Sequence, residues 1–494
     1  MPLARFSNIN ACPHAVPSPL NGEKVRMRGE TTESLNAFLK PAFKTILFAT
    51  IFAFTTDNLL AQDTTTNSAW NSEPLSLLNA LNLALQQNAA IQEARNDLQA
   101  SHGIVIQTRA VALPQVTANG QYKDTQRSAI EGIAIHGFPP LVQPDQNWNA
   151  GIQIQQAIYE GGKMIAAFQA AGATKRQAIA QFQTVVADAL LNTRVAYYDV
   201  LLAEQQITVH EASVNLLEKE LQDEQSRYKA GTVPHFNVLQ ADVALANERP
   251  NLIQSRNNYR IAKNNLSNLL GYNLPRDIWE DIPMHLSDKL DDAPYDVKLP
   301  DAIQQAISQR TELSALRETE ELQKLNIVSA RAGYRPTFSV FAGYTAFNSQ
   351  FIDPNDLSYA LHGWNMGAQM QWDIFDGMLT RGKVVQANAQ YAKSQTTLAD
   401  ESRQIELEVR TAYSDFINAK EILDSQQAVQ TEAEEAQREA HARTEAGTGT
   451  QLDELNAETA LTQARTTDIQ SLHDYDVARA RLERAIGENM SVGQ

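Results

Sequence analysis

The sequence predicts a mainly α-helical chain with a transmembrane β part, built as a duplicated unit of strands and very long helices. Three observations carry that expectation. The stretch WNMGAQMQWDIFDG, residues 364–377, alternates: Trp364, Met366, Ala368, Met370, Trp372 and Ile374 share one face. Asn365, Gly367, Gln369, Gln371 and Asp373 share the other, which is the period of a strand. A second segment, WNAGIQIQQAIYEG at 148–161, matches the first at an offset of 216 residues. Residues 163–229 contain no proline and one glycine, Gly172, so they can form a single helix about 100 Å long.

The chain opens with a targeting segment. Lys40 and Lys44 precede TILFATIFAFTT, an apolar run too short to span a bilayer and of the length of a signal-peptide core. Ala61 supplies a small residue before Gln62, so residues 1–61 read as a signal peptide with an N-terminal extension, and Met27 is an alternative start to Met1. Cleavage there removes six Lys/Arg and four Asp/Glu and takes the net charge from −17 to −19. Such a charge has the wrong sign for nucleic acid. The one cysteine, Cys12, supplies neither a disulfide nor a cysteine metal site. A mean hydropathy of −0.36 argues against a polytopic helical membrane protein.

The first repeat covers 75–271. It reads as a helix over 75–111, strands over 115–124 and 147–159, a long helix over 163–229, a turn at KAGTVP and a returning helix over 234–271, kinked at Pro250. The long helix carries a heptad seam through Val186, Leu190, Thr193, Tyr197, Val200, Ile207, Val214, Leu217, Leu221 and Tyr228, so helices should pack side by side as a coiled coil. Gly231 stops it and Pro234 suits the next helix start. The Pro- and Asp-rich stretch 272–296 reads as a connector. The second repeat, 297–487, brings helices at 297–332, 379–445 and 450–487 and strands at 337–347 and 362–375, and 488–494 is a tail. Upstream of the strands the offset is 222, pairing Arg95 with Arg317 and Tyr122 with Tyr344. The six-residue difference therefore falls in the loop between the first two strands.

Strands of about ten residues can cross an outer membrane. Tyr122, Trp148, Tyr159, Tyr344, Trp364 and Trp372 stand near their ends, as interfacial aromatics should. Four strands cannot close a barrel, and lipid does not tolerate open edges, so several chains must share one. Three copies give twelve strands, with the long helices leaving the membrane together as a tube.

At this point the chain resembles the TolC-like outer-membrane factors. The resemblance covers about 75–490 and rests on the duplicated tips RYKAGT…FNVLQAD and RTEAGTGTQLDELNAE and the junctions IYEGG and IFDGM. It implies a homotrimer with a twelve-stranded outer-membrane barrel continued by a periplasmic α-helical coiled-coil barrel. It also implies a periplasmic adaptor and an inner-membrane RND or ABC transporter, for drug efflux or type I secretion. The implied adaptor-docking tips are Ala230, Gly231 and Thr232 with Ala446, Gly447 and Thr448. The implied aperture positions are Asp453, which keeps the acidic residue, and Asn456, which does not. Thr444, Gly449 and Asn237 stand where the best-known members place a tyrosine, arginine and aspartate lock, so that lock is not expected.

No HExxH pattern or histidine cluster is present, and GTG at 447–449 lacks the context of a phosphate loop. No enzyme activity, cofactor or metal is therefore expected, and the energy for transport must come from a partner. Two alternatives remain, a soluble periplasmic coiled-coil scaffold or adaptor protein and a stand-alone diffusion porin, which would need many more strands per chain.

Overall fold

The computed structural model describes residues 74–125, 146–272, 282–348 and 360–488. The expected signal peptide, both candidate starts and all but the first residue of the tail lie outside them. All described elements belong to one compact unit, Thr66–Gln494.

The first repeat comprises α1 (Leu77–Gln87), α2 (Ala89–Ala110), β1 (Gln115–Asp124), β2 (Gln146–Glu160), α3 (Lys163–Lys229) and α4 (His235–Leu269). The second comprises α5 (Leu299–Gln309), α6 (Thr311–Arg331), β3 (Thr337–Asn348), β4 (Ala360–Gln371), α7 (Leu379–Glu445) and α8 (Gln451–Ile486). Both α3 and α7 are 67 residues long, and their bounds differ by the offset seen in the sequence. Each is flanked by two shorter partners: α2 and α4 pack along α3, and α6 and α8 along α7. Further contacts of α3 with α6 and α8 join the two repeats.

The seam on α3 is the inner face. Leu190, Thr193, Tyr197, Val200, Val214 and Leu217 are buried, Val186, Ile207 and Leu221 are half-buried, and Tyr228 is exposed at the far end. Pro250 does not interrupt α4, which is continuous through it. The connector is part of the core rather than a bare link. Ile282, Met284 and Leu290 pack with Tyr197, Val200 and Leu266, and Leu75 bonds through its backbone to His285 and Ser287.

Two expectations are corrected. The helices read at 75–111 and 297–332 are each broken once, at Asn88 and at Arg310, where ψ swings to 129° and 124°. The breaks are equivalent in the two repeats, and each makes the same bond with different chemistry. The Asn88 side-chain amide donates to the Leu269 carbonyl at 2.7 Å, and its Oδ1 caps Ala90 and Ile91 of α2. Arg310 donates to the Ala485 carbonyl at 3.1 Å, at the matching position of α8, and pairs with Glu312 and Glu408. A helical C-terminal carbonyl needs a donor, and the break places one there.

The last strand, read as 362–375, ends at Gln371. Its partner β3 begins at Thr337, opposite Gln371, so later residues have no ladder to join. Trp372 therefore lies just past the strand, where its indole donates to the Tyr334 carbonyl.

Strand passes to helix through two successive left-handed residues in both repeats: Gly161 (φ 63°) and Gly162 (φ 100°), then Gly377 (φ 66°) and Met378 (φ 72°). A Cβ on Gly161 would stand 2.7 Å from the Ala332 carbonyl oxygen, whereas one on Gly377 would meet no atom within 4 Å. Both alanine substitutions carry left-handed strain of about 1–2 kcal/mol, but only the first adds a backbone clash. Gly161→Ala should therefore lower the thermal midpoint of the detergent-solubilised protein clearly more than Gly377→Ala does; equal shifts would remove the packing argument.

Candidate functional site

Two regions carry the functional expectations, the sheet at one end of the long helices and the turns at the other. The sheet is a four-stranded antiparallel meander in the order β1-β2-β3-β4. Residues directly opposite one another share a face, so the pairs Tyr122–Trp148, Ile152–Tyr344 and Tyr344–Trp364 set one apolar surface. Much of it is open in the single chain: Ile152 is 57% exposed, Met366 69% and Trp364 74%. No described helix is long and apolar enough to cross a membrane.

A bulge sets the position of one expected aromatic. Counting by twos from Trp148 puts Tyr159 on the wrong face. The ladder shifts between Ala157 and Tyr159, so Ile158 is the extra residue and Tyr159 faces Phe338, with ring centroids 6.2 Å apart. Trp148 and Tyr159 then mark two levels of one face, about 36 Å apart along the strand and roughly 28 Å apart at the tilt of an outer-membrane barrel.

The opposite face is built mostly from amides, hydroxyls and glycines, including Asn119, Gln153, Thr345, Asn365 and Gln369, with Phe341, Phe347 and Leu361 among them. Phe341 covers the gap over Gly367. Among the paired positions on this face, Lys123 at one end and Glu160 at the other are the ionisable residues. Among the described residues, no strand pairs with the outer edges of β1 and β4.

At the far end the two turns are copies of one another. Gly231 (φ 75°) and Gly447 (φ 73°) stop α3 and α7 in the left-handed conformation. Thr232 returns its amide and hydroxyl to the Arg227 carbonyl at 3.0 and 2.9 Å, and Thr448 does the same to Arg443 at 2.9 and 3.2 Å. Ala230, Gly231, Thr232, Ala446, Gly447 and Thr448 are all exposed.

Asp453 has a local role. It closes a capping box with Thr450: its carboxylate accepts from the Thr450 amide at 3.2 Å and hydroxyl at 2.7 Å, while the Thr450 hydroxyl accepts from the Asp453 amide. Those bonds hold its carboxyl below the usual carboxylate range. Asn456 is exposed on the same helix face three residues on. At the three positions expected to lack the lock, the side chain of Gln451 donates to the Asn237 backbone carbonyl at 3.2 Å and joins α8 to α4. Thr444 bonds within its own helix, and the Gly449 amide donates to Arg443.

Sequence reasoning missed Gln451, the pairing of His441 with Glu454 at 2.6 Å, and a group of glutamates between α3 and α8. A cue was present. Steps of three and four from Leu217 reach Leu221, Glu224 and Tyr228, so Glu224 occupies a seam position that a coiled coil normally fills with an apolar residue.

The family described as "Outer membrane efflux protein" matches residues 80–272 and 302–488. The chain is 24% identical over 419 residues to outer membrane protein TolC of Vibrio cholerae, covering 82% of this chain and 87% of that protein. It is 22% identical over 411 residues to the proteases secretion protein PrtF of Dickeya chrysanthemi, covering 81% and 85%. Among solved structures, the CmeC outer membrane channel of Campylobacter jejuni superposes with a TM-score of 0.70 at 16% identity, covering 83% of this chain and 85% of that one. The outer membrane protein VceC of Vibrio cholerae gives 0.68 at 18% identity, with 83% and 96% covered.

Thr450→Ala removes one half of the capping box and should cost α8 about 1 kcal/mol locally. Faster amide hydrogen exchange over residues 451–455, with the rest of α8 unchanged, is the expected reading; an unchanged first turn would show that neighbouring helices, not the cap, hold it.

Proposed function

The chain belongs to the outer membrane efflux protein family, and on that premise we propose that it works as the outer-membrane exit duct of a tripartite efflux pump or type I secretion system. It is a channel-family protein of the outer membrane with a large periplasmic part. The observation that carries the reading is the sheet: one exposed apolar face, one amide-lined face and two open edges, feeding helices about 100 Å long. A soluble scaffold would have no use for such a face.

Three copies joined from the edge of β1 to the edge of β4 make a closed twelve-stranded barrel, which removes every unpaired edge from lipid. The amide face then lines water and the apolar face meets lipid, with Tyr122, Trp148, Tyr159, Tyr344, Trp364 and Trp372 at its borders. The six long helices of the three copies, each matched by two shorter partners, continue below as a periplasmic α-helical barrel. A periplasmic adaptor engages the exposed turns at 230–232 and 446–448, and an inner-membrane RND or ABC transporter supplies the energy. PrtF, by its name a protease secretion protein, supports the secretion branch; efflux is the other. Among the paired positions of the lumen face the ionisable residues are Lys123 and Glu160, at its two ends, so the described strands select little by charge, and the tip does more.

Asp453 of three copies forms one acidic ring at the periplasmic aperture, and Asn456 adds no charge to it. The capping box keeps that carboxylate ionised, since the bonds from Thr450 favour its charged form.

Density-gradient fractionation of a Gram-negative host should place the protein in the outer membrane, and the detergent-extracted particle should size as a trimer. A soluble periplasmic product would overturn the strand assignment. In planar bilayers under a KCl gradient, Asp453→Asn should lower the cation preference by about twofold or more, whereas Asn456→Asp should raise it. An unchanged reversal potential in both variants would remove Asp453 from the aperture.

A further inference from the structure

The missed glutamates lie where α3 and α8 pack near the turns. Glu220 and Glu224 come from the last three turns of α3, and Glu454 and Glu458 from the first two of α8. Glu224 is 3% exposed and Glu458 6%. Glu220 Oε1, Glu224 Oε2, Glu458 Oε2 and Gln451 Oε1 are all buried without a hydrogen-bond partner. All four are acceptors, and a buried acceptor without a donor is costly. A cleft of about 430 Å³, lined by the four glutamates, gives water and protons access.

Arg227 and Arg465 are engaged at other oxygens, although Arg465 still pulls the Glu458 carboxyl down against its burial, and Lys219 lines the same cleft. On α3, Arg227 bonds the second oxygen of Glu224 at 3.1 Å, and Lys219 stands beside His441. On α8, Arg465 turns to Glu434 of α7 at 3.0 Å. His441 of α7 is held by Glu454 at 2.6 Å. Asp223 of α3 and Glu445 of α7 line the same cleft, and Glu248 of α4 faces Glu458, so further negative charge surrounds the group. The donor this cluster lacks is a proton: protonating one carboxyl removes a charge and supplies an O–H to a neighbouring acceptor.

We propose that these glutamates form a proton-operated latch that holds α3 against α8 at the periplasmic tip of the duct. The inference rests on the duct reading and adds a control to it, distinct from the exposed Asp453 ring. Burial first, and then the charge of Glu454, push the Glu220 carboxyl up to about 7; burial pushes Glu458 up as well. A carboxyl that holds its proton more tightly in the packed state stabilises packing fully below its ordinary value of 4.5 and loses that contribution as pH rises through about 7. The His441–Glu454 pair acts in the same direction. Its hydrogen bond raises the histidine above 6.5, so the pair is fully stabilising below that value and is lost at higher pH. Ionisation in a cleft of like charges then drives α3 and α8 apart.

The test uses the full-length protein in planar bilayers between pH 5.5 and 8.5, with hydrogen exchange of the detergent-solubilised protein over the same range. Conductance should rise with pH with a midpoint near 7. Exchange over residues 216–228 and 451–462, corrected for intrinsic rates, should be about tenfold or more slower at low pH. The double variant Glu220→Gln, Glu458→Gln should stay at the low-conductance, slow-exchange level throughout, while Asp453→Asn should keep the step. A step that persists in the double variant, or vanishes in Asp453→Asn, overturns the latch. So does pH-independent exchange of the unaltered protein, or a step that follows added Mg²⁺ rather than pH. Absence of any channel current strikes the duct reading instead, and the exchange profile still decides the latch.

Discussion

A sheet with one apolar face and two unpaired edges cannot sit in hydrocarbon, because every buried backbone N–H and C=O needs a partner and lipid offers none. Much of this molecule follows from that constraint. The four strands among the described residues are too few to close a barrel, which is why the proposed reading joins the edges of β1 and β4 to other copies. The strands must also join helices that leave the membrane in register. That junction is made twice, by a pair of left-handed residues before α3 and again before α7. Three of those four positions are glycine, and the fourth, Met378, holds the same turn despite its side chain.

Duplication gives the helical part its order. One long helix is matched by two shorter ones laid end to end, in each repeat. The meeting points of the short helices leave carbonyls that need donors. Both repeats answer by breaking the preceding helix pair at the equivalent residue and sending a side chain to the equivalent carbonyl, from Asn88 in one repeat and Arg310 in the other. The geometry is shared while the chemistry has diverged. Arg310 is 5% exposed and is paired with Glu312 and Glu408, so its charge is compensated where it is buried.

Polar groups are used differently along the length of the helices. At the middle of the assembly, buried charges are paired: Arg194 with Glu483, and Arg484 with Asp188 and Glu312. Among the described residues, carboxyl oxygens buried without a donor occur singly at Glu160 and Asp468, but those of Glu220, Glu224 and Glu458 gather at the tip. Paired groups specify one arrangement, and unpaired ones leave it conditional.

Periodicity was enough to read much of the architecture. Alternation marked β4, the repeat carried that reading to the other described strands, the proline-free run 163–229 and its copy marked α3 and α7, and the change of offset from 222 to 216 marked the longer first loop. The tip turns were legible because a glycine in the left-handed region ends a helix by local sterics alone. Tertiary structure decided what depends on a partner elsewhere in the chain. The end of β4 is set by where β3 begins, the face of Tyr159 by a bulge against Phe338, and the breaks at Asn88 and Arg310 by carbonyls some 180 residues away. Asp453 reads from sequence as a charge near a turn, but only the folded chain shows it closing a capping box. The carboxyl group between α3 and α8 is the clearest case. Apart from Glu224, whose seam position is a cue, each glutamate alone looks like a solvated helix residue, and burial without donors arises only when the two helices come together, because desolvation is a property of the packed pair.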